Sequence, residues 1–305
     1  MAESALVIDR CWVTGEIIAF NIVGIFGNVQ LIWTTARKKA THNKPGLLLA
    51  TNALLHIICL ISELIFNASF HIVGITITRR QCFPLLAVYI VTICAQVIVM
   101  LAQAVDLLTA LVFPLWYRTS NTTPFMAFIT VLAMMYGLTF SIVGGFTRDD
   151  EVLPFCNPPL VLIPLVRRAW SLSNVVINCL IVAVYAAILG FMLLRAKSKA
   201  WKENHKVARR LTVAVIVFIF SWFITILGVD LGNAVGFSPE SLSIWQSNMV
   251  LFALLCYSQA FYVCIWRSSD YRTAFKEQLS IMFCHRKCFQ LASQSTQSMV
   301  HTSHS

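Results

Sequence analysis

Few side chains in this sequence can do chemistry, and those that can lie in apolar surroundings. Glu63 and Asp106 are acids within long apolar runs, and His56 and His71 are imidazoles in the same kind of setting. A carboxylate there is costly unless it faces a cavity or a partner, so Glu63 is expected either to line an internal pocket or to hold a structural hydrogen bond. The four groups sit at different depths and share no metal-ligand spacing. No catalytic residue, no metal site and no cofactor is therefore expected. Of the ten cysteines, Cys59, Cys94, Cys179, Cys256 and Cys264 fall inside apolar runs and read as small hydrophobes. Cys284 and Cys288 follow an amphipathic stretch and are candidates for palmitoylation, with two unmodified thiols as the alternative.

The elements that must position these residues follow from composition. The chain has 305 residues, 58% of them hydrophobic and only 12% charged, with a mean hydropathy of +0.76, which excludes an ordinary water-soluble domain. Apolar windows recur at 13–36, 46–73, 83–113, 124–146, 169–194, 208–236 and 244–266, each long enough to cross a bilayer. Backbone groups have no water partners there, so the segments must be helices. The fold class is an all-α membrane protein, a seven-transmembrane helix bundle. Residues 1–12 form the N-terminus, 13–266 the membrane domain, 267–284 an amphipathic helix and 285–305 a disordered tail. The first residues carry Glu3 and Asp9 and lack a basic n-region, so the first span is expected to act as the signal anchor.

The net charge of +10 comes without a basic, aromatic-studded soluble face, so nucleic acid is not an expected partner. The charge is topological. The first, third and fifth connections and the tail hold most of the 23 Lys and Arg, which places them in the cytoplasm and the N-terminus outside. Ser268 to Phe283 then lies on the inner leaflet, with Tyr271, Phe275, Leu279 and Phe283 on one face. Cys82 opens the third span on the outer side, and Cys156 is the one cysteine of the long outer loop. The two can meet in an oxidising exterior, with Cys11 as a competing partner. Asp106 follows Cys82 by about 36 Å of helix, one membrane thickness, and so reaches the inner face. The sequons at Asn67 and Asn121 fall within a span and on the inner side, and neither is expected to be used.

Several ordered strings are more specific. They are Cys59-Leu60-Ile61-Ser62-Glu63, Cys82-Phe83, the run from Asp106 to Arg118, Arg148-Asp149-Asp150-Glu151, Cys156-Asn157-Pro158-Pro159 and Trp170-Ser171-Leu172-Ser173-Asn174. Further on come Phe218-Ile219-Phe220-Ser221-Trp222-Phe223, Cys256 to Val263 and Trp266 to Leu279. From Gly27-Asn28 to Leu279 the chain resembles the rhodopsin-like G-protein-coupled receptors, and among them the nematode serpentine chemoreceptors called Srsx. The resemblance implies a receptor in the plasma membrane, in a sensory-neuron cilium, that binds a small chemical cue outside and activates a heterotrimeric G protein inside. No enzyme activity is implied.

The resemblance and helix depth together suggest the site residues. Glu63, Tyr89, Trp222, Thr225 and Asn248 are candidates for ligand binding. Asp106, Leu107, Phe218, Trp222, Tyr262, Arg209 and Arg210 are candidates for activation and G-protein coupling, although Phe218 and Trp222 also read as core aromatics one turn apart. The basic run from Lys197 to Arg210 equally suits anionic membrane lipids. Leu107 departs from the wider receptor pattern by replacing the arginine that faces the G protein, His56 by replacing the sodium-site aspartate, and Ile224 by replacing a proline. Tyr89 stands where amine receptors carry Asp, and residues 244–266 lack the lysine that an opsin requires. A small lipophilic or zwitterionic cue is expected. The rival readings are a secondary transporter coupled through Glu63, which the absence of self-similar halves disfavours, and a receptor-like protein without signalling, which Leu107 alone supports.

Overall fold

The computed structural model describes residues 2–68, 77–153, 156–194, 217 and 219–283. Helix α1 runs Ala2–Arg37 and α2 Lys44–Ser62, the latter continuing as a π-turn over Glu63–Ala68. α3 spans Arg79–Val112, α4 Pro114–Thr119, α5 Thr122–Thr147, α6 Pro158–Val161 and α7 Pro164–Leu194. A second π-turn, Ile219–Phe223, leads into α8, Ile224–Val235, which is followed by α9, Pro239–Asn248, α10, Val250–Arg267, and α11, Ser269–Phe283. Two short strands, β1 (Ile77–Thr78) and β2 (Val152–Leu153), pair antiparallel with Ile77 opposite Leu153.

This is a seven-transmembrane helix bundle. Six described helical stretches are long and apolar enough to cross a membrane, namely Cys11–Arg37, Lys44–Phe66, Arg79–Val112, Thr122–Thr147, Pro164–Leu194 and Ile244–Trp266. The remaining apolar window, 208–236, is described essentially from its middle onward. Phe218, Arg209, Arg210, His71, Cys284 and Cys288 lie outside the described residues. α1 is already helical at Ala2, ahead of the apolar window that opens at residue 13. The outer face of α5 shows why the chain needs lipid: Phe128, Val131, Met135, Leu138, Ile142 and Phe146 are all exposed and recur at helical spacing, a stripe that water would not tolerate.

α3 is the central post, packed against α2, α5 and α7. Its start is set by a capping box, in which the Thr78 side chain accepts from the Gln81 N–H and the Gln81 side chain accepts from the Thr78 N–H. Glycines bring α5 close to α3: a Cβ on Gly137 would stand 2.7 Å from the Val91 carbonyl oxygen, and one on Gly144 2.6 Å from the Phe83 ring. Close approach of small residues is the main packing device where lipid removes any hydrophobic preference between helices.

α1 and α10 are joined by polar contacts. Asn28 Nδ2 donates to the Gly24 carbonyl at 2.9 Å and across to the Tyr257 carbonyl at 2.8 Å, Ser258 Oγ donates to the Phe20 carbonyl at 3.2 Å, and Tyr262 Oη donates to the Val23 carbonyl at 3.0 Å. Asn28→Ala is expected to lower the stability of the purified protein by about 1 kcal/mol, an interhelical hydrogen bond in a membrane being worth about that; a thermal-unfolding scan in detergent checks it.

α11 folds back along the end of the bundle. Phe275 is buried among Leu31, Ala53 and Phe261, with the Phe261 ring centroid 4.5 Å away. Burial pushes the Tyr271 phenol up to about 12, so the ring stays neutral under any physiological condition. The Lys38–Glu277 bridge at 2.6 Å is more than a third exposed on both partners and adds little.

Candidate functional site

A cavity opens between the helices at the Cys82 end of the bundle, with about 830 Å³ of empty space including its mouth. The π-turn that begins at Glu63 and the one that carries Trp222 interrupt regular helix where α2 and the run leading to α8 meet the cavity. Such interruptions are frequent at functional sites because they re-aim side chains without ending the helix. No proline is involved; Ile224 lies just past the second π-turn.

The floor is built from Glu63, Tyr89, Trp222 and Tyr257. Glu63 is 4% exposed, Tyr89 3% and Trp222 2%. Tyr89 Oη donates to Glu63 Oε1 and lies 3.4 Å from Tyr257 Oη. Glu63 thus lines the cavity and accepts a hydrogen bond from Tyr89. Trp222 and Tyr257 have ring centroids 6.0 Å apart, and Tyr257 and His56 5.6 Å, so a chain of rings descends from the cavity floor.

Arg167, Trp170 and Ser171 of α7 form one wall, and Thr225 and Ile226 of α8 another. Trp170 is held by a hydrogen bond from Nε1 to Cys94 Sγ at 3.3 Å. The final wall is Gln246, Met249 and Val250. Asn248, expected among the ligand contacts, is not part of it: its Nδ2 donates to the Ile244 carbonyl of its own helix at 2.8 Å. The helical phase of α9 turns Gln246 inward in its place, and Met249, at the turn into α10, lies beside it.

The roof is Asn157, Pro158 and Pro159, placed by the disulfide between Cys82 and Cys156. Cys11 is free and exposed, so it does not compete for that bond. Arg79 ties down the same loop, with Nη1 2.5 Å from Asp149, Nη2 2.9 Å from Glu151 and Nε donating to the Leu160 carbonyl at 3.2 Å. Spacing alone marked none of Arg79, Arg167, Trp170, Gln246 or Tyr257 as site residues. The strings containing Trp170 and Tyr257 were the available signal.

At the opposite end of the bundle, Tyr117 Oη donates to Asp106 Oδ2 at 2.9 Å. Burial, then the bond to Asp106, raises the Tyr117 phenol above its usual range, so it remains a donor at neutral pH. Lys44, only 6% exposed, bonds Ser120 Oγ at 2.5 Å and lies within 4.8 Å of the Tyr117 ring centroid and 5.3 Å of the Phe125 one. Leu107 packs with Ile188 and Met192 of α7. Tyr262 points at α1, away from the interior. A second cavity, with about 710 Å³ of empty space, is lined here by Asn52, His56, Gln103, Tyr185 and Gln259. Both ring nitrogens of His56 lack a hydrogen-bond partner among the described residues. No cluster of three or more His, Cys, Asp or Glu that could hold a metal ion is present among them.

A seven-helix membrane bundle with a roofed cavity at one end and a second cavity at the other is the architecture of a G-protein-coupled receptor. The family model of the serpentine-type 7TM GPCR chemoreceptors Srsx matches residues 21–279, and the chain belongs to that family, which is not an enzyme class. A comparison with individual curated proteins gives no match.

Proposed function

We propose that this protein is a plasma-membrane chemoreceptor of a sensory cilium, with its N-terminus outside, that binds a small chemical cue in the roofed cavity and activates a heterotrimeric G protein at the Asp106 end. The observation that carries the reading is the stack Trp222–Tyr257–His56, which links the floor of one cavity to the wall of the other. A cue acts only through its differential affinity for two states of the bundle. A ligand resting on Trp222 repacks Tyr257, and Tyr257 lies against the polar lining of the inner cavity. Asp106, Leu107 and the loop around Tyr117 border the surface that meets the G protein, and the basic run through Arg209 and Arg210 supplies charge for it or for anionic lipid.

The test is expression with a promiscuous Gα subunit, reading calcium or cAMP while small volatile and water-soluble cues are applied. Trp222→Ala is expected to weaken the response at least about tenfold at equal surface expression, a large buried aromatic at a contact being worth more than 1.4 kcal/mol. Surface expression without a response to any cue or Gα, with Leu107→Arg restoring coupling, overturns signalling by the native chain. Solute uptake that follows a proton gradient and disappears in Glu63→Gln overturns the receptor reading altogether.

The tether at Asp106 yields a further prediction. Tyr117→Phe removes the phenol hydroxyl that holds the Asp106 carboxylate, a charge-assisted bond worth about 1.5–3 kcal/mol. The connecting helix α4 then loses its anchor on α3. Basal G-protein activity is expected to rise several-fold; unchanged basal activity would show that this bond does not restrain the inactive state.

A further inference from the structure

The polar side chains that line the roofed cavity are unequally spent. Glu63, the acid of the lining, accepts from Tyr89 Oη. Thr225 Oγ1 donates to the Ser221 carbonyl at 3.0 Å, and Asn157 Oδ1 accepts from the Leu160 N–H at 3.0 Å to cap α6. Gln246 offers a donor and an acceptor alike. Among the described residues, however, no bond uses Asn157 Nδ2, the Trp222 Nε1 donor has no partner, and Arg167 makes no ion pair. Asn157 is 7% exposed, Trp222 is more deeply buried still, and Arg167 is partly buried. The capacity left over in the cavity is thus mainly that of donors, and buried donors without acceptors are costly. Arg167 stands in the first turn of α7, just beyond the roof helix α6, and that turn contains no acidic residue. The helix N-terminus therefore adds its partial positive charge to the guanidinium instead of offsetting it.

Resting on the chemoreceptor reading, we infer that the cue is a small organic acid, with a carboxylate or similar oxyanion toward the roof and an apolar or aromatic body below it. The oxyanion accepts from the planar fork of Arg167, which matches a carboxylate with two parallel bonds. The Asn157 amide of the roof supplies a further donor. The body lies on Trp170, Trp222, Ile226 and Met249. Glu63 belongs to the floor and is held there by Tyr89. A cationic cue would meet the like charge of Arg167, and a purely lipophilic one would cover the guanidinium and the roof amide without replacing their water, so both are disfavoured.

Purified receptor, followed by thermal unfolding at neutral pH, tests this with short alkyl and arylalkyl carboxylates, each compared with the primary amide and the amine of the same body. The carboxylates are expected to stabilise the receptor at concentrations about tenfold lower than the isosteric amides, one charge-assisted contact being worth about that factor. Arg167→Gln should erase the advantage of the acid over the amide while leaving amide binding unchanged. Asn157→Asp, which keeps the cap on α6 but replaces the donor by a negative charge, should weaken the acids and spare the amides. Glu63→Gln, which keeps an acceptor for Tyr89, should preserve the preference for acids. Amides or amines that stabilise as well as the acids, failure of every acid to stabilise, or an acid preference that survives Arg167→Gln or disappears in Glu63→Gln overturns the inference. Should Arg167→Gln not fold, the selectivity of the native chain and of Asn157→Asp decides. Because unfolding needs no G protein, stabilisation by acids with a silent signalling assay counts against the chemoreceptor reading alone, whereas cellular responses to uncharged cues without acid binding count against the anionic ligand alone.

Discussion

Cells expressing Cys82→Ser, or Cys156→Ser, are expected to lose the cue response and most of the receptor at their surface. The bond closes a stretch of chain between residues 74 positions apart, and by the chain-entropy account a loop of that size is worth about 4 kcal/mol. In a membrane the ends of that stretch remain anchored in helices, so the loss falls on the roof itself. Among the described residues, the loop that carries Asn157, Pro158 and Pro159 is held by the disulfide, by the three contacts of Arg79 and by the β1–β2 pairing with the Arg80–Asp150 bridge. Arg79 fixes the strand pair and the far side of the loop; without the disulfide it leaves the Asn157 edge untethered. Immunostaining of intact cells measures arrival at the surface, and cue titration measures the pocket. Wild-type responses in both single variants would show that Arg79 holds the roof without the disulfide. Cys11→Ser is the matched control and should behave as wild type, since Cys11 is exposed and free.

Gly137→Leu is expected to be strongly destabilising. The nearest atoms to a new Cβ at this position are backbone, the Val91 carbonyl oxygen at 2.7 Å and the Val91 Cα at 3.0 Å, and backbone of a central helix cannot rotate away as a side chain can. α5 must move off α3, opening the largest helix contact of the fold. Overpacking of this kind costs about 3 kcal/mol or more and lowers the unfolding temperature by roughly 10 °C for a chain of this size. Gly190→Leu provides the comparison, because nothing lies within 4 Å of a Cβ there; the same change on that lipid-facing surface should leave unfolding unaltered. Equal effects at the two glycines would show that helix propensity, and not close packing, sets the response.

Much of this architecture was legible because membrane proteins write it in segment averages. Window hydropathy located the third and fourth spans to within a few residues of their helices, 83–113 against Arg79–Val112 and 124–146 against Thr122–Thr147, whereas α1 already begins at Ala2, ahead of its window. The amphipathic stretch after the last span is α11; its apolar face was expected on the inner leaflet, and Phe275 of that face is buried against Leu31, Ala53 and Phe261. Cys82 and Cys156 were identified as partners from which end of the bundle each must occupy. Glu63 stood out because an acid in an apolar run has few stable options, and it does line the cavity.

Other features were hidden, for one physical reason. Side-chain type reveals the inward face of a helix when the outward face is polar, but in lipid both faces are apolar. Asn248 and Gln246 are both amides in one short helix, and sequence offered no ground for choosing between them; the phase of α9 turns Gln246 to the cavity. Tyr262, expected in the activation path, instead bonds α1. The π-turns at Glu63–Ala68 and Ile219–Phe223 alter helical phase where the cavity floor is made, and no proline or glycine announces either. The sequence by itself therefore determined the seven-span membrane architecture, the disulfide and the rare buried acid, since these follow from the cost of placing each residue type in lipid or water. Only the tertiary structure decided that Gln246 lines the cavity, that Tyr257 joins Trp222 to His56, and that Tyr117 holds Asp106, since these depend on how each helix is rotated against its neighbours.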